Sequence, residues 1–212
     1  MTQKIHKKTP GFTLMEILIA ATIFAVMMVL VTATTTQAIT YQRKLKAMRG
    51  VSENARRITD MLTRDIRQAD DSRRFSLHSL EFRGLAILNC SDNSCQAVGN
   101  TAPETTEANA LVVGLSDGVG FYLNSAGRLR YKKYSSLNQI NQAIISEVAS
   151  TPAIVDEEFE TTLRLSGFAP SVMPATRQPF VGFSVEVIRR GENIADNAAV
   201  TIKSLATSRN YD

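Results

Sequence analysis

Gly11-Phe12-Thr13-Leu14-Met15-Glu16, followed by ILIAATIFAVMMVLVTATTTQAITYQ to residue 42, is the stretch whose reading decides the fold. From Ile17 to Gln42 no side chain is charged. The apolar core from Ile17 to Val31 carries a single hydroxyl, Thr22, and the threonines beyond it are able to bond back to helical carbonyls. At about 1.5 Å per residue, roughly 20 residues cross a hydrocarbon layer of about 30 Å, so the run is long enough to span a membrane. Ahead of it stands MTQKIHKKTPG, short and basic, without an acidic residue. Its Lys4, Lys7 and Lys8 predict a cytoplasmic N-terminus by the positive-inside rule, with the remainder carried across.

Three readings compete for this segment. A secretory signal peptide needs a small-x-small cleavage site after a shorter apolar run, and Ala33-Thr34-Thr35 offers only a poor version. A plain anchor fits the hydropathy but leaves Glu16 unexplained. An ionised group in hydrocarbon costs about 2.5–3.5 kcal/mol at mid-depth, less near the interface, and nothing nearby pairs with Glu16 except the leader lysines. The third reading supplies a partner. The string Gly11-Phe12-Thr13-Leu14-Met15-Glu16-Ile17-Leu18-Ile19-Ala20 closely resembles the processing site of class III prepilins. The resemblance implies that a prepilin peptidase cuts between Gly11 and Phe12 and that Phe12 is then N-methylated. It also implies that Glu16 pairs with the N-terminal ammonium of a neighbouring subunit during assembly. A buried carboxylate beside a newly made cation relieves two desolvation costs together, and a glycine before the cut lets an enzyme approach the backbone closely.

The rest of the chain is a globular sequence. Of 212 residues 44% are apolar and 21% charged, which argues against disorder. The net charge is +4, and setting aside Lys4, Lys7 and Lys8 leaves 21 basic against 20 acidic residues, too even for a dedicated nucleic-acid binder. With no tryptophan and only His6 and His78, a histidine metal site or triad has little to draw on, and neither histidine is assigned a role. Beyond Gln42, Leu45, Met48, Val51, Ala55, Ile58, Leu62, Ile66 and Ala69 recur in helical steps. Between Phe12 and Gly84 there is one glycine, Gly50, and no proline, so a single helix over Thr13–Ala69, 57 residues and about 85 Å long, is expected. The remaining face interleaves basic residues from Arg43 to Arg74 with Glu53, Asp60, Asp65, Asp70 and Asp71. It reads as a solvated surface with pairs such as Glu53–Arg57 and Asp60–Arg64, a phosphate-binding stripe being the alternative.

After Arg74 short β-like runs follow: 85–88, 110–115, 120–123, 129–134, 159–165, 180–188 and 199–205. Asn124-Ser125-Ala126-Gly127 joins two of them as a hairpin, and 189–193 opens a longer turn. Phe183, Val185 and Val187 alternate with Ser184 and Glu186, so that strand covers the helix with one face. Residues 137–148 are a short helix or an irregular connection, and 89–108 and 166–179 read as loops. The expected class is α+β, a long N-terminal helix on an antiparallel sheet, which is also the pilin-like fold the resemblance implies. The expected divisions are a leader 1–11, a transmembrane and assembly helix 12–42, its amphipathic continuation 43–70, and an extracytoplasmic β-rich domain 71–212. The stretch Arg64-Asp65-Ile66-Arg67-Gln68-Ala69 is similar to the J-type minor pseudopilin of type II secretion and to the W-type minor pilin.

Cys90 and Cys95 bracket a polar loop. Once translocated they would meet an oxidising compartment, where a pair usually bonds; free thiols remain open, and a metal lacks two further ligands. The acidic residues Asp156, Glu157, Glu158 and Glu160 lack the Asp/Asn-Gly alternation of a calcium loop and read as a solvated approach to a strand. Residues 114–120, GLSDGVG, lack the lysine and helix of a phosphate loop and read as a turn. Arg128, Arg130 and Lys132 share a strand face near Tyr122, Tyr131 and Tyr134, a pattern that suits single-stranded nucleic acid or, more simply, a charged edge strand. No nucleophile–base pair or carboxylate dyad stands out, so a structural subunit without cofactor is expected, not an enzyme. The partners implied by the resemblance are the prepilin peptidase, other pilin or pseudopilin subunits, an inner-membrane assembly platform and the lipid bilayer. Pilus, secretion pseudopilus and DNA-uptake filament make identical physical demands on such a chain.

Overall fold

The computed structural model describes residues 12–78, 80–91, 94–98, 108–168, 180–191 and 196–208. By its contacts the chain forms two compact units, one ending at Arg43 and one beginning at Lys44. A single helix, α1, runs Leu14–Arg67 through both. Its start is capped by Thr13, whose carbonyl accepts from the backbone N–H of Glu16 at 3.1 Å and of Ile17 at 3.3 Å. The Thr13 hydroxyl also accepts from Glu16 N–H at 3.3 Å, filling one of the orphan donors of the first turn.

In the first unit the helix buries nothing. The side chains from Phe12 to Arg43 are all exposed, Phe24 at 65%. The threonine hydroxyls donate back to the helix: Thr22 to Ile19 O, Thr32 to Met28 O, Thr35 to Val31 O, Thr36 to Thr32 O and Thr40 to Thr36 O, at 2.7–2.9 Å. Thr34 shares its hydroxyl between Leu30 O and Val31 O. Each threonine hydroxyl of the run is thus satisfied without water, as a hydrocarbon surrounding requires.

In the second unit the helix buries a stripe of Ala47, Val51, Ala55, Ile58, Leu62, Asp65 and Ile66. The helix ends where the backbone N–H of Asp70 turns to Gly114 O at 2.8 Å, and Asp70 Oδ1 accepts from Ser72 N–H at 2.9 Å, closing a tight turn. Those Ser72 contacts hold the Asp70 carboxyl below its ordinary range. Gly114 is required here, because a Cβ on it would lie 2.6 Å from the Cβ of Arg73.

Among the described residues eleven strands follow, in three sheets rather than the one expected. The largest is β4-β3-β5-β6-β7, from β3 (Leu85–Ser91), β4 (Ser94–Ala97), β5 (Ala110–Leu115), β6 (Gly118–Ser125) and β7 (Arg128–Tyr134). A second is β11-β10-β9, from β9 (Phe159–Phe168), β10 (Phe180–Arg189) and β11 (Ala198–Thr207). All of these pairs are antiparallel. The third sheet is small, β2 (Leu80–Arg83), β1 (Arg74–Leu77) and β8 (Gln139–Ile140), with β1 and β8 parallel over two residues. Helix α2 spans Gln142–Ser150, capped by Asn141, whose Oδ1 accepts from Ile144 N–H at 3.0 Å. The 137–148 ambiguity thus resolves into two parts, the unexpected strand β8 at Gln139–Ile140 and the capped helix from Gln142 on.

The five-stranded sheet is buried on both faces. One face, with Leu85, Ile87, Leu111, Val113, Tyr122 and Leu129, shares a core with the helix stripe and with Leu163, Val181, Phe183, Val185 and Val187 of the second sheet. The other, with Ala86, Leu88, Val112, Phe121 and Leu123, packs on Phe75, Leu77, Phe82, Ile145 and Val148. This is why β5, ALVVGL, reads as an unbroken apolar run and has no exposed residue. By contrast β10 alternates buried and half-buried positions and covers the helix with one face, as its sequence predicts. The β6–β7 hairpin turns on Ala126 (φ 51) and Gly127 (φ 70), two left-handed residues in succession, the geometry that suits the twist of paired strands.

Several expectations need correction. The β1–β2 hairpin and β4 fall where no strand was expected. The hairpin closes at Leu77↔Leu80 through His78 at φ 56, so its turn carries no glycine or asparagine to announce it in this position. Leu45 and Met48 are exposed, and Ala47 begins the buried stripe. Asp65, expected among the solvated charges, is 3% exposed. Residues 99–107, 169–179 and 192–195, read as loops and turn, lie outside the described residues.

Candidate functional site

The expected processing site lies at the start of α1. Gly11 and the leader, with Lys4, His6, Lys7 and Lys8, lie outside the described residues. Phe12 and Thr13 precede the helix and are exposed, and Glu16 sits three residues after the cap, on the first turn. An acid there is favoured by the helix dipole and by the cap itself. Among the described residues no cation lies within ion-pair distance of Glu16. The described residues therefore offer its carboxylate the Thr13–Glu16 turn but no counter-charge, on a helix whose following turns are uncharged to Gln42.

Cys90 and Cys95 stand directly opposite each other in the β3–β4 ladder, their sulfurs joined. The Asn109 amide clamps Cys90 from the other side: its Oδ1 accepts from Cys90 N–H and its Nδ2 donates to Cys90 O, both at 2.7 Å. With both backbone groups of Cys90 turned to Asn109, the cysteines face each other as a non-hydrogen-bonded cross-strand pair, in which Cβ atoms approach most closely.

The other candidate groups are engaged. Three of the acidic residues at the start of β9 face arginines: Glu157 with Arg128 at 3.6 Å, Glu158 with Arg189 at 2.9 Å and Glu160 with Arg190 at 3.1 Å. Lys132 pairs with Glu147, which also accepts from the Tyr134 hydroxyl at 3.1 Å; these bonds hold the Glu147 carboxyl below its ordinary range. Arg130 donates to Thr151 O, and the Lys132 ammonium lies 5.5 Å from the Tyr134 ring centre. Tyr122 is buried, its ring centre 4.6 Å from that of Tyr131. The rings and cations that would have to meet single-stranded nucleic acid are therefore committed to the fold. In the GLSDGVG turn, Arg73 donates to Leu115 O at 3.1 Å and Ser116 O at 2.6 Å, while Asp117 pairs with Lys133 and is held below its ordinary range by it.

On the stem, Arg49, Ser52, Glu53, Arg56, Arg57, Asp60, Met61 and Arg64 line a broad open groove of about 1110 Å³. Arg64 pairs with Asp65 at 3.2 Å, not with Asp60 as its spacing suggested. Sequence reading missed the polar contact at the centre of the domain. Asp65 Oδ2 accepts from the Tyr122 hydroxyl at 2.6 Å, tying the helix to the five-stranded sheet. Burial first, then the Asp65 charge, pushes the Tyr122 hydroxyl far above the usual tyrosine range and that of Tyr131 up to about 12. The signal was present: Asp65 stands three residues after Leu62 and seven after Ile58, on the buried stripe.

Residues 6–32 match the family model described as the prokaryotic N-terminal methylation motif, a span holding Gly11, Phe12, Glu16 and most of the apolar run. Among curated proteins and solved structures none matches the chain. In its N-terminal segment the chain is prepilin-like, and the motif and the exposed apolar helix together support membrane anchoring.

Proposed function

We propose that the chain is a pilin-like structural subunit, a minor one, of a type IV pilus or a type II secretion pseudopilus. It is inserted with its N-terminus in the cytoplasm and its β-rich domain outside the inner membrane. Prepilin peptidase cuts Gly11–Phe12, Phe12 is N-methylated, and the subunit joins the filament through its N-terminal helix at the assembly platform. In this reading residues 1–11 are the leader, 12–42 the membrane and assembly helix, 43–70 the stem and 71–212 the displayed domain. The observation that carries it is Glu16, a lone carboxylate at the head of a helical run that is uncharged from Ile17 to Gln42 and unburied, with no cation within ion-pair distance among the described residues. The ammonium created at Phe12 of a neighbouring subunit is a cation of the right kind in the right layer. The similarity of residues 64–69 to J- and W-type chains supports the minor role.

Glu16→Val tests the pairing. The substitution makes the span more apolar and leaves Gly11–Phe12 intact, so insertion and cleavage persist. Removing one partner of a buried pair costs about 3–5 kcal/mol, a fall in the assembly constant of two orders of magnitude or more. Crosslinking of cleaved Glu16→Val protein to its neighbours should accordingly collapse relative to wild type. Equal yields at equal expression would instead describe an anchored domain that does not polymerise through Glu16.

A further inference from the structure

Directly after the uncharged run, the sequence carries Arg43, Lys44, Lys46 and Arg49, with no acidic residue between Glu16 and Glu53. Lys44, Lys46 and Arg49 are exposed, and among the described residues none has an ion-pair partner. In the same two turns Leu45 and Met48 are 54% and 47% exposed, outside the core that Ala47 enters. Tyr41, one turn earlier, is 69% exposed, and tyrosine is the residue type that marks membrane interfaces. Only Lys4, Lys7 and Lys8 precede the run. The flank that would lie outside is therefore at least as basic as the one inside. Arg43, Lys44, Lys46 and Arg49 offset the charge bias of Lys4, Lys7 and Lys8, so the orientation rests on the prepilin-like motif. Cations without acids beside them and with apolar side chains exposed between them suit a surface of phosphate above hydrocarbon.

We propose that Lys44, Lys46 and Arg49, with Leu45 and Met48, form an interfacial collar that binds the headgroup phosphates of anionic phospholipids in the leaflet from which the helix emerges. Leu45 and Met48 enter the boundary between headgroups and acyl chains. The lysine and arginine stems lie along that boundary and raise their charges to the phosphates. The collar continues the apolar run by two turns and holds the base of the domain, where Ala47 becomes buried, at the headgroup layer. It rests on the membrane-anchored part of the reading above and is independent of polymerisation.

The test uses the full chain in nanodiscs of phosphatidylcholine containing a minority of phosphatidylglycerol, with retained phosphatidylglycerol counted by native mass spectrometry. Each basic residue near an anionic surface is worth about a fivefold preference. Lys46→Gln/Arg49→Gln should therefore lower the enrichment on the order of 25-fold, and salt should weaken the wild-type enrichment. Arg56→Gln/Arg57→Gln, an equal charge loss two turns further on, should leave it unchanged, and all variants should keep the wild-type thermal midpoint. Enrichment equal in Lys46→Gln/Arg49→Gln and wild type overturns the collar, leaving these cations for an acidic protein surface. An equal loss in both double variants overturns it too, as a diffuse effect of stem charge. Full displacement by millimolar inorganic phosphate would mean a free-anion site instead. Loss of residues 1–11, read from the same spectra, reports separately on the prepilin reading.

Discussion

The two halves of α1 are continuous in hydrogen bonding and opposite in what surrounds them. From Leu14 to Arg43 the apolar residues occupy every direction around the axis and none is buried. From Ala47 to Ile66 they narrow to a stripe, and its buried members share a core with the β-strands. An apolar side chain alone does not specify a protein core. An apolar stripe with a polar back specifies a core beside it, and an apolar surface all round specifies an external apolar medium, lipid or other helices like itself. Leu45 and Met48 sit at the change and belong by exposure to the first kind.

The same substitution in the two halves breaks the comparison most sharply. Leu62→Ala should cost the domain about 2–5 kcal/mol, since Leu62 is fully enclosed and its removal leaves a cavity in the core. Leu30→Ala, in the exposed half, should leave the domain's unfolding midpoint where it was. Denaturant unfolding of both variants of the full chain, followed by hydrogen exchange in β5 and β10, checks the pair. Equal losses would mean that the two halves share one folding unit.

Next in size is the polar pin in the enclosed half. Tyr122→Phe leaves Oδ2 of the buried Asp65 carboxylate without its donor, Arg64 remaining on Oδ1, at about 1–3 kcal/mol. The pH dependence has a definite sign. Unfolded Tyr122 ionises near about 10, whereas folded Tyr122 keeps its proton well above that. Its contribution is fully present below about pH 10 and is lost as the pH rises further. Thermal midpoints between neutral and strongly alkaline pH should fall in the wild type and fall less steeply in Tyr122→Phe.

Cys90→Ser should cost no more than about 2 kcal/mol, because the loop closed between the cysteines is short. Non-reducing peptide mapping of material passed through an oxidising compartment should find the two joined, and alkylation of both in native protein would count against the bond. The smallest effect is expected at Glu147, which is solvent-exposed. Its depressed carboxyl stabilises the fold above the ordinary value of 4.5 and ceases to as the pH falls through the folded value. Glu147→Gln should slightly flatten the acid limb of the midpoint-against-pH curve.

Much of this was legible because burial leaves a period. The long helix was expected within a few residues of its observed ends, and seven of the strands fell close to their positions because each alternates or runs apolar between turn residues. What escaped has physical reasons. The β1–β2 hairpin turns on a left-handed His78, a conformation that side chains other than glycine seldom announce. Strand β4 has four residues, too few to show alternation. Asp65 was read by its charge although its spacing put it on the stripe, and its donor, Tyr122, lies 57 residues away along the chain. Leu45 and Met48 fit the helical period loosely enough to be drawn into a stripe that begins at Ala47. At the site itself the residue types in order, Gly-Phe-Thr-Leu-Met-Glu before an uncharged run, carried the reading. The absence of a partner for Glu16 among the described residues needed coordinates.

The central claim is that the exposed half of α1 is made for release at Phe12 and use between subunits. Intact-mass measurement of the chain recovered from membranes, after co-expression with a prepilin peptidase, tests it most directly. The account predicts a protein lacking residues 1–11 with one methyl group on the Phe12 nitrogen, and a Gly11→Val variant that keeps its full length because the added side chain crowds the scissile backbone. A full-length, unmethylated wild-type chain in assembled material would contradict it.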